Sequence, residues 1–258
     1  MTFFQDKKSM NINFAKLEIA GESNIGPVRR NNEDNFLIYA PPGGHAVLAA
    51  VADGIGGHSR GEVASAICCN ELLKAAYRTD SRSWGKDFLQ DALLKANKNI
   101  FDLNYQGKRI KPMGCTVAAA VFFRDRVIIS HAGDSRFYEY TDDADGKVLH
   151  QLTEDHRPEG LKTLVNAERF RNVSLISRSV GTGKFLELDT CEIPRRQESK
   201  YLICSDGLYN SQSSQFLCEV LGADSTMRQK VSFLVRNALL AGEKDNITVI
   251  CAGSANEE

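Results

Sequence analysis

Apolar and polar residues change their period several times along this chain, and each change marks an element. Residues 14–20 (FAKLEIA) alternate, the period of a strand with one buried face. Residues 35–40 (NFLIYA) and 45–52 (HAVLAAVA) are short apolar runs joined by PPGG, which predicts an antiparallel hairpin whose second strand is buried on both faces. The period then lengthens. Residues 61–78 carry Val63, Ala64, Ile67, Cys68, Leu72, Ala75 and Ala76 as a helical stripe, and residues 83–104 carry a second one, so the two helices are expected to pair over a sheet. Strands return at 114–123, 126–133, 136–140 and 147–153, with Arg124-Asp125 and DDADG as turns. Residues 154–172 form a polar excursion with a helical turn or two. Strands follow at 185–193 and 200–206, helices at 213–221 and 227–241, and a last strand at 247–252. Hairpin turns dominate and regular βαβ alternation is absent. The order therefore predicts an α+β fold, with mostly antiparallel sheets sandwiched between helix pairs.

Composition narrows the class. At 258 residues with 42% apolar content, the chain buries a sizeable core, and no linker, repeat or low-complexity tract divides it. Residues 1–14 read as a flexible N-terminal extension and residues 15–258 as a single domain. The charge balance of 32 Lys and Arg against 33 Asp and Glu, net −1, argues against an electrostatic grip on nucleic acid or acidic lipid. No run of about 18 apolar residues supports a membrane span, and the N-terminus lacks the apolar region of a signal peptide. The seven cysteines lie without metal-ligand spacing in mostly apolar surroundings, which points to reduced thiols in the cytoplasm.

Candidate chemistry sits at strand ends. Asp53 ends the run 45–52, and Gly54, Gly56 and Gly57 follow it, so the backbone can bend there and bring carbonyl oxygens near an ion or phosphate. An ordinary Asp-Gly turn is the alternative. Asp206 and Asp245 also stand at strand ends, with Glu33, Asp34 and Asp134 in similar positions. If the sheets bring these ends together, the like charges repel by several kcal/mol at about 4 Å and intermediate dielectric, a cost that divalent cations remove. Carboxylate and carbonyl oxygens without His or Cys select Mg²⁺ or Mn²⁺ over Zn²⁺. Two such ions would polarise a shared water and stabilise charge on a phosphate under attack. Arg29 suits the phosphate, since its planar fork pairs bidentately with phosphate oxygens. A solvated turn with surface ion pairs is the other reading of Arg29, Arg30, Glu33 and Asp34.

Rival nucleophiles fare worse: no cysteine is followed at the sixth position by Arg, and neither a G-x-S-x-G elbow nor a P-loop occurs. Cys204 reads as a strand core residue. His58, after the glycine run, reads as a surface or capping residue, with an approach to the site as the alternative. His131 reads as a core residue bonded to backbone, and His156 as a residue able to touch substrate.

With these residues assembled, the chain resembles the type 2C metal-dependent Ser/Thr protein phosphatases, most of all their compact bacterial branch. The matching motifs are IGPVRRNNED at 25–34, VADGIGGHSRGE at 51–62, GCTVAA at 114–119, AGDSR at 132–136, LTEDH at 152–156, SRSVGT at 177–182, SDGL at 205–208 and DN at 245–246. The resemblance implies a four-layer α-β-β-α sandwich and a site for two Mn²⁺ or Mg²⁺ ions, with a weaker third. It implies that Asp53 bridges the two ions, that the Gly54 carbonyl binds one and that Asp206 and Asp245 bind the other. Glu33 would hold the second ion directly or through water with Asp34 in support, Arg29 would clamp the phosphate, and Asp134 would help bind the third ion. The implied activity is hydrolysis of phosphoserine and phosphothreonine in proteins, opposing a Ser/Thr kinase, by a cytoplasmic bacterial enzyme expected to be a monomer. The chain departs from the pattern at the flap between LTEDH and SRSVGT, which is short and has no Asp between His156 and Asp189, and at Ile55, where eukaryotic relatives carry a His.

Overall fold

The computed structural model describes residues 8–14, 16–55, 60–106, 112–144, 146–158 and 176–254. Strands β1 (Lys8–Phe14), β2 (Leu17–Asn24), β3 (Asn35–Tyr39), β4 (Val47–Ala52) and the short β5 (Gly54–Ile55) lead into helices α1 (Gly61–Arg78) and α2 (Lys86–Gln106). Strands β6 (Gly114–Cys115), β7 (Val117–Phe122), β8 (Arg126–Ala132), β9 (Arg136–Asp143), β10 (Gly146–Gln151), β11 (Asp189–Pro194) and β12 (Lys200–Cys204) follow. The chain closes with helices α3 (Asp206–Tyr209), α4 (Ser214–Gly222) and α5 (Met227–Leu240) and strand β13 (Ile247–Ser254).

The strands form a six-stranded sheet in the order β1-β2-β13-β12-β9-β10 and a five-stranded sheet in the order β11-β8-β7-β4-β3, while β5 and β6 pair separately. All pairings among the described residues are antiparallel. Three apolar clusters separate the four layers. Leu48, Ala50, Ala52 and Ala119 meet Ala64, Leu72, Leu93 and Ile100 of the first helix pair. Val47, Ala49, Val51 and Phe122 meet Ile19, Phe137, Tyr201 and Ile250 between the sheets. Leu202, Val249 and Cys251 meet Leu217, Leu221, Val231 and Leu234 beneath α4 and α5. Strand β4 is buried along its whole length because its alternate residues face different clusters, as its unbroken apolar run requires. The expected four-layer sandwich is the observed one.

Local differences have physical causes. Residues 8–14, expected as a loose end, form β1 against β2, with Ile12 and Phe14 packed on the inter-sheet cluster. Lys16, at a φ of 65°, stands in the reversal between the two strands, so the first core strand runs over Leu17–Asn24 and not 14–20. Helix α2 starts at Lys86 because Ser81–Ser83 form a 3-10 turn whose N-cap, Asp80, accepts from the Arg82 amide. The strand expected over 185–193 begins only at Asp189. Asp206 opens the one-turn helix α3 instead of ending a strand, a turn too short to leave a periodic signal. The polar excursion at 154–172 lies almost wholly outside the described residues. No helix of the described chain is long and apolar enough to cross a membrane.

The sheets keep their relative position through Phe122, fully buried, whose ring lies 6.1 Å from that of Phe137 and 5.5 Å edge-on to that of Tyr201. Phe122→Ala is expected to cost about 3–5 kcal/mol by leaving a cavity between the sheets, read as a lower denaturant midpoint with an unchanged m-value.

Candidate metal centre

Antiparallel pairing brings the ends of strands from both sheets to one edge of the sandwich. Asn35 pairs with Ala52, Val117 with Ala132, and Cys204 with Arg136 and Val249. Asp53 therefore leaves β4 beside Glu33 and Asp34, which enter β3. Asp134 joins β8 to β9, Asp206 follows β12, and Asp245 precedes β13.

Backbone contact closes the gap between these loops. The Gly54 amide donates to the Glu33 carbonyl at 3.1 Å, and a Cβ on Gly54 would stand 2.4 Å from the Gly61 carbonyl and 2.6 Å from that of Glu33. A Cβ on Gly207 would lie 2.1 Å from the Asn246 oxygen. Only glycine admits such approaches, so Gly54 and Gly207 set how close the carboxylates come. Asn246, buried, ties the loops together: its Oδ1 accepts the Glu33 amide at 2.8 Å, and its Nδ2 donates to Ile25 at 2.8 Å and Asn31 at 3.1 Å. The Thr116 amide donates to the Asp53 carbonyl at 2.8 Å, while Thr116 Oγ1 accepts the Asp53 amide at 3.3 Å and shares a 2.6 Å bond with Ser135 Oγ.

The electrostatics follow from that crowding. Asp34, 5% exposed, accepts from Ser205 Oγ at 2.7 Å and stands beside Asp53. Burial first, then the charges of Asp34, Asp206, Asp134 and Asp245, holds the Asp53 carboxyl well above the ordinary range. Asp206 is pushed up to about 8 by burial, then by Asp134 and Asp245. Burial raises Asp34 to about 6 against the hydrogen bonds of Thr248 and Ser205. Glu33 is also raised, by burial and then by Glu62. An all-oxygen donor set whose carboxyls are raised by burial and mutual repulsion fits hard divalent ions, whose charge offsets that repulsion and which displace protons on binding.

Arg29 stands at the rim, 44% exposed in its side chain, with Nη2 2.6 Å from Asp245 Oδ2. It thus lies in the exposed bend of residues 27–30 while pairing with a carboxylate of the cluster. Cys204 is fully buried, and its thiol is raised far above the usual range by burial, which leaves it inert. His58 lies outside the described residues. His131 bonds the Glu154 carbonyl through Nε2 at 3.0 Å, as a core histidine should. His156 is buried: its Nδ1 accepts the Gly133 amide at 3.1 Å and its Nε2 faces Asp189 at 3.0 Å.

His131, His156 and Asp189 approach closely enough to suggest a further ion site. The two rings, however, stack 4.6 Å apart and 16° from parallel, so their in-plane lone pairs do not meet at one point. Moreover, accepting at Nδ1 leaves the proton of a neutral His156 on Nε2. The group is a latch: the Ser177 amide donates to the His156 carbonyl at 2.8 Å, and Arg178 binds Asp189 at 2.9 Å, so Ser177 and Arg178 are tied to His156 and Asp189 next to Gly133. Residues given no role by sequence reasoning (Thr116, Ser135, Ser205, Asn246, Thr248) lie within or beside the motifs already singled out. Their signal was a small hydroxyl or amide next to each acidic position.

The sequence profile described as Protein phosphatase 2C matches residues 28–232. The serine/threonine phosphatase stp of Listeria monocytogenes serotype 4b is 31% identical over 234 residues, 87% of this chain and 91% of that one. The serine/threonine protein phosphatase PstP of Mycobacterium tuberculosis is 34% identical over 245 residues, 92% of this chain and 45% of that protein. The crystal structure of the Mycobacterium tuberculosis PstP/Ppp superposes with a TM-score of 0.77 at 32% identity, covering 93% of this chain and 99% of that one. The catalytic domain of PstP in complex with two manganese ions gives a TM-score of 0.76 at 32% identity, with the same 93% and 99% coverage.

Raised carboxyl pKa values fix a sign for stability. A group whose folded pKa lies above its unfolded value near 3.8 contributes stability below that value and loses it as pH rises through the folded pKa. Chelator-treated protein is therefore expected to lose thermal stability as pH rises from about 4 to about 8. The rise in melting temperature on adding Mn²⁺ should be larger at pH about 8 than at pH about 5, because fewer protons then compete with the ion. Calorimetric scans across that range check both, and a melting temperature of the chelated protein that climbs steadily with pH contradicts them.

Proposed function

The chain belongs to the protein phosphatase 2C family, and from that membership we propose that it hydrolyses phosphoserine and phosphothreonine esters in proteins with two Mn²⁺ or Mg²⁺ ions as cofactors. The observation that carries this reading is the convergence of Glu33, Asp34, Asp53, Asp134, Asp206 and Asp245 at one edge of both sheets, with Arg29 on the rim. Asp53, the Gly54 carbonyl, Asp206 and Asp245 would hold the ions, and Glu33 would add a direct or water-mediated oxygen with Asp34 behind it. When bound, the ions neutralise phosphate charge and lower the pKa of water held between them.

This chain's side chains perform the remaining work. Arg29, held at the rim by Asp245 through Nη2 and exposed on its outer side, would present its planar fork to the phosphate. Asp34, locked by Ser205 and Thr248, holds the Asp53 carboxyl in place beside it. Thr116 and Ser135 fix the Asp53 backbone, and Asn210 Nδ2 donates to Asp206 Oδ2 at 3.2 Å. The substrates are phosphorylated proteins, supplied by a Ser/Thr kinase acting on the same targets. The free state of all seven cysteines supports the cytoplasm as the place of action, and the catalytic domain includes β1 at residues 8–14 as well as the expected domain from residue 15 onward.

Phosphate release from a phosphothreonine peptide tests the reading. Release is expected with Mn²⁺, to vanish with EDTA, and to fall at least about 100-fold in Asp206→Asn, a larger loss than removal of an outer partner gives. Metal-independent release, or an Asp206→Asn enzyme as active as wild type, rules the mechanism out. Arg29→Ala is expected to lower kcat/KM by about 10- to 100-fold, the worth of one charge-assisted contact, with unaltered Mn²⁺ binding as the internal control.

A further inference from the structure

Asp134 belongs to a closed circuit of side chains outside the pair of ions. The Tyr209 hydroxyl donates to the Asp134 carbonyl at 3.0 Å, and the Arg136 guanidinium lies 3.5 Å over the Tyr209 ring. Arg136 grips Asp155 bidentately at 2.8 Å through both Nε and Nη2. Asp155 Oδ2 in turn lies 3.2 Å from Arg157 Nη2, the Arg157 amide donates to the Asp155 carbonyl at 2.9 Å, and Arg157 Nη2 closes the ring at 3.8 Å from Asp134 Oδ2. Arg157 is no loose surface residue: its side chain is 27% exposed, and its Nε is buried without a hydrogen-bond partner. The Asp134 side chain, 3% exposed, turns the same carboxylate towards Asp206 and Asp53, whose protonation it favours.

We propose that the Arg157 guanidinium takes the place of a third divalent cation at Asp134, so that this phosphatase holds two ions and not three. The inference rests on the dinuclear reading above. A fixed monocation on Asp134 satisfies the charge that a third ion would otherwise neutralise, and an ion bound to the same carboxylate would meet that monocation at a few ångströms, which Coulomb repulsion opposes. The sequence between His156 and Asp189 contains no Asp, its carboxylates being Glu159, Glu168 and Glu187. Arginine suits the position because its charge does not titrate away and its planar fork spans two carboxylates.

The test counts Mn²⁺ by equilibrium dialysis, with free ion read by electron paramagnetic resonance, in folded full-length protein. Wild type is expected to saturate at two ions per chain, and Arg157→Gln, which removes the charge but keeps much of the side chain, at three. Arg157→Ala gives a second route to the same count, and Arg157→Lys should return it to two. Adding Asp134→Asn to Arg157→Gln should remove the extra ion and locate it. Three ions on the wild type overturn the proposal, as do two on both Arg157→Gln and Arg157→Ala. A wild type that takes up no Mn²⁺ removes the dinuclear reading and this one with it, so the two failures are distinguishable.

Discussion

Mutual repulsion among carboxylates at one edge of the sandwich is the constraint on which the rest of the site depends. Asp34, Asp206, Asp134 and Asp245 all raise the cost of ionising Asp53, and burial multiplies the effect by removing water that would screen them. Such an arrangement persists only if the fold is stable enough to hold it. The all-antiparallel sheets, with three apolar clusters between four layers, supply that stability away from the site. The charged groups gather where the strands end and the core stops.

The protein answers the surplus of negative charge in two ways. Hydroxyl and amide donors on the backbone and on Ser205, Thr248 and Asn210 hold individual oxygens in place, but they bring no net charge. Arginines do. Arg29 stands against Asp245 and Arg157 against Asp134, one on each flank of the cluster. The difference between them is confinement. Arg29 is 44% exposed on the rim, whereas Arg157 is woven into a ring with Tyr209, Arg136 and Asp155. One cation is open to a phosphate and the other is enclosed.

Close backbone approach gives the cluster its dimensions. Gly54 against Glu33 and Gly61, and Gly207 against Asn246, press together neighbouring loops within each sheet, and the Glu33 amide on Asn246 Oδ1 joins the two sets, so the main chain sets how closely the carboxylates approach. The His156 latch adds a further tie, holding Ser177 and Arg178 to His156 and Asp189 next to Gly133. A site whose parts must lie within fractions of an ångström for metal and phosphate chemistry is thereby built on the most rigid components available.

Period, turn residues and chain order were enough for the sandwich: two stretches of helix at 61–78 and 83–104, hairpins between short apolar runs, and Asp at strand ends beside Gly are local patterns that tertiary structure did not override. The same local logic marked Asp53, Asp134 and Asp206 beside glycines, Glu33, Asp34 and Asp245 next to strand ends, and Arg29 as the cation near them in sequence. Pairings across long separations were beyond it. The addition of β1 as an edge strand, the Asn246 hub joining residues 25, 31 and 33, the stacking of His131 on His156 and the placing of Arg157 on Asp134 depend on which strand ends meet. Periodicity reports what a residue does within its own element. Which charges share one small volume is decided by the register of strands far apart in the chain, and only the folded sheets fix that.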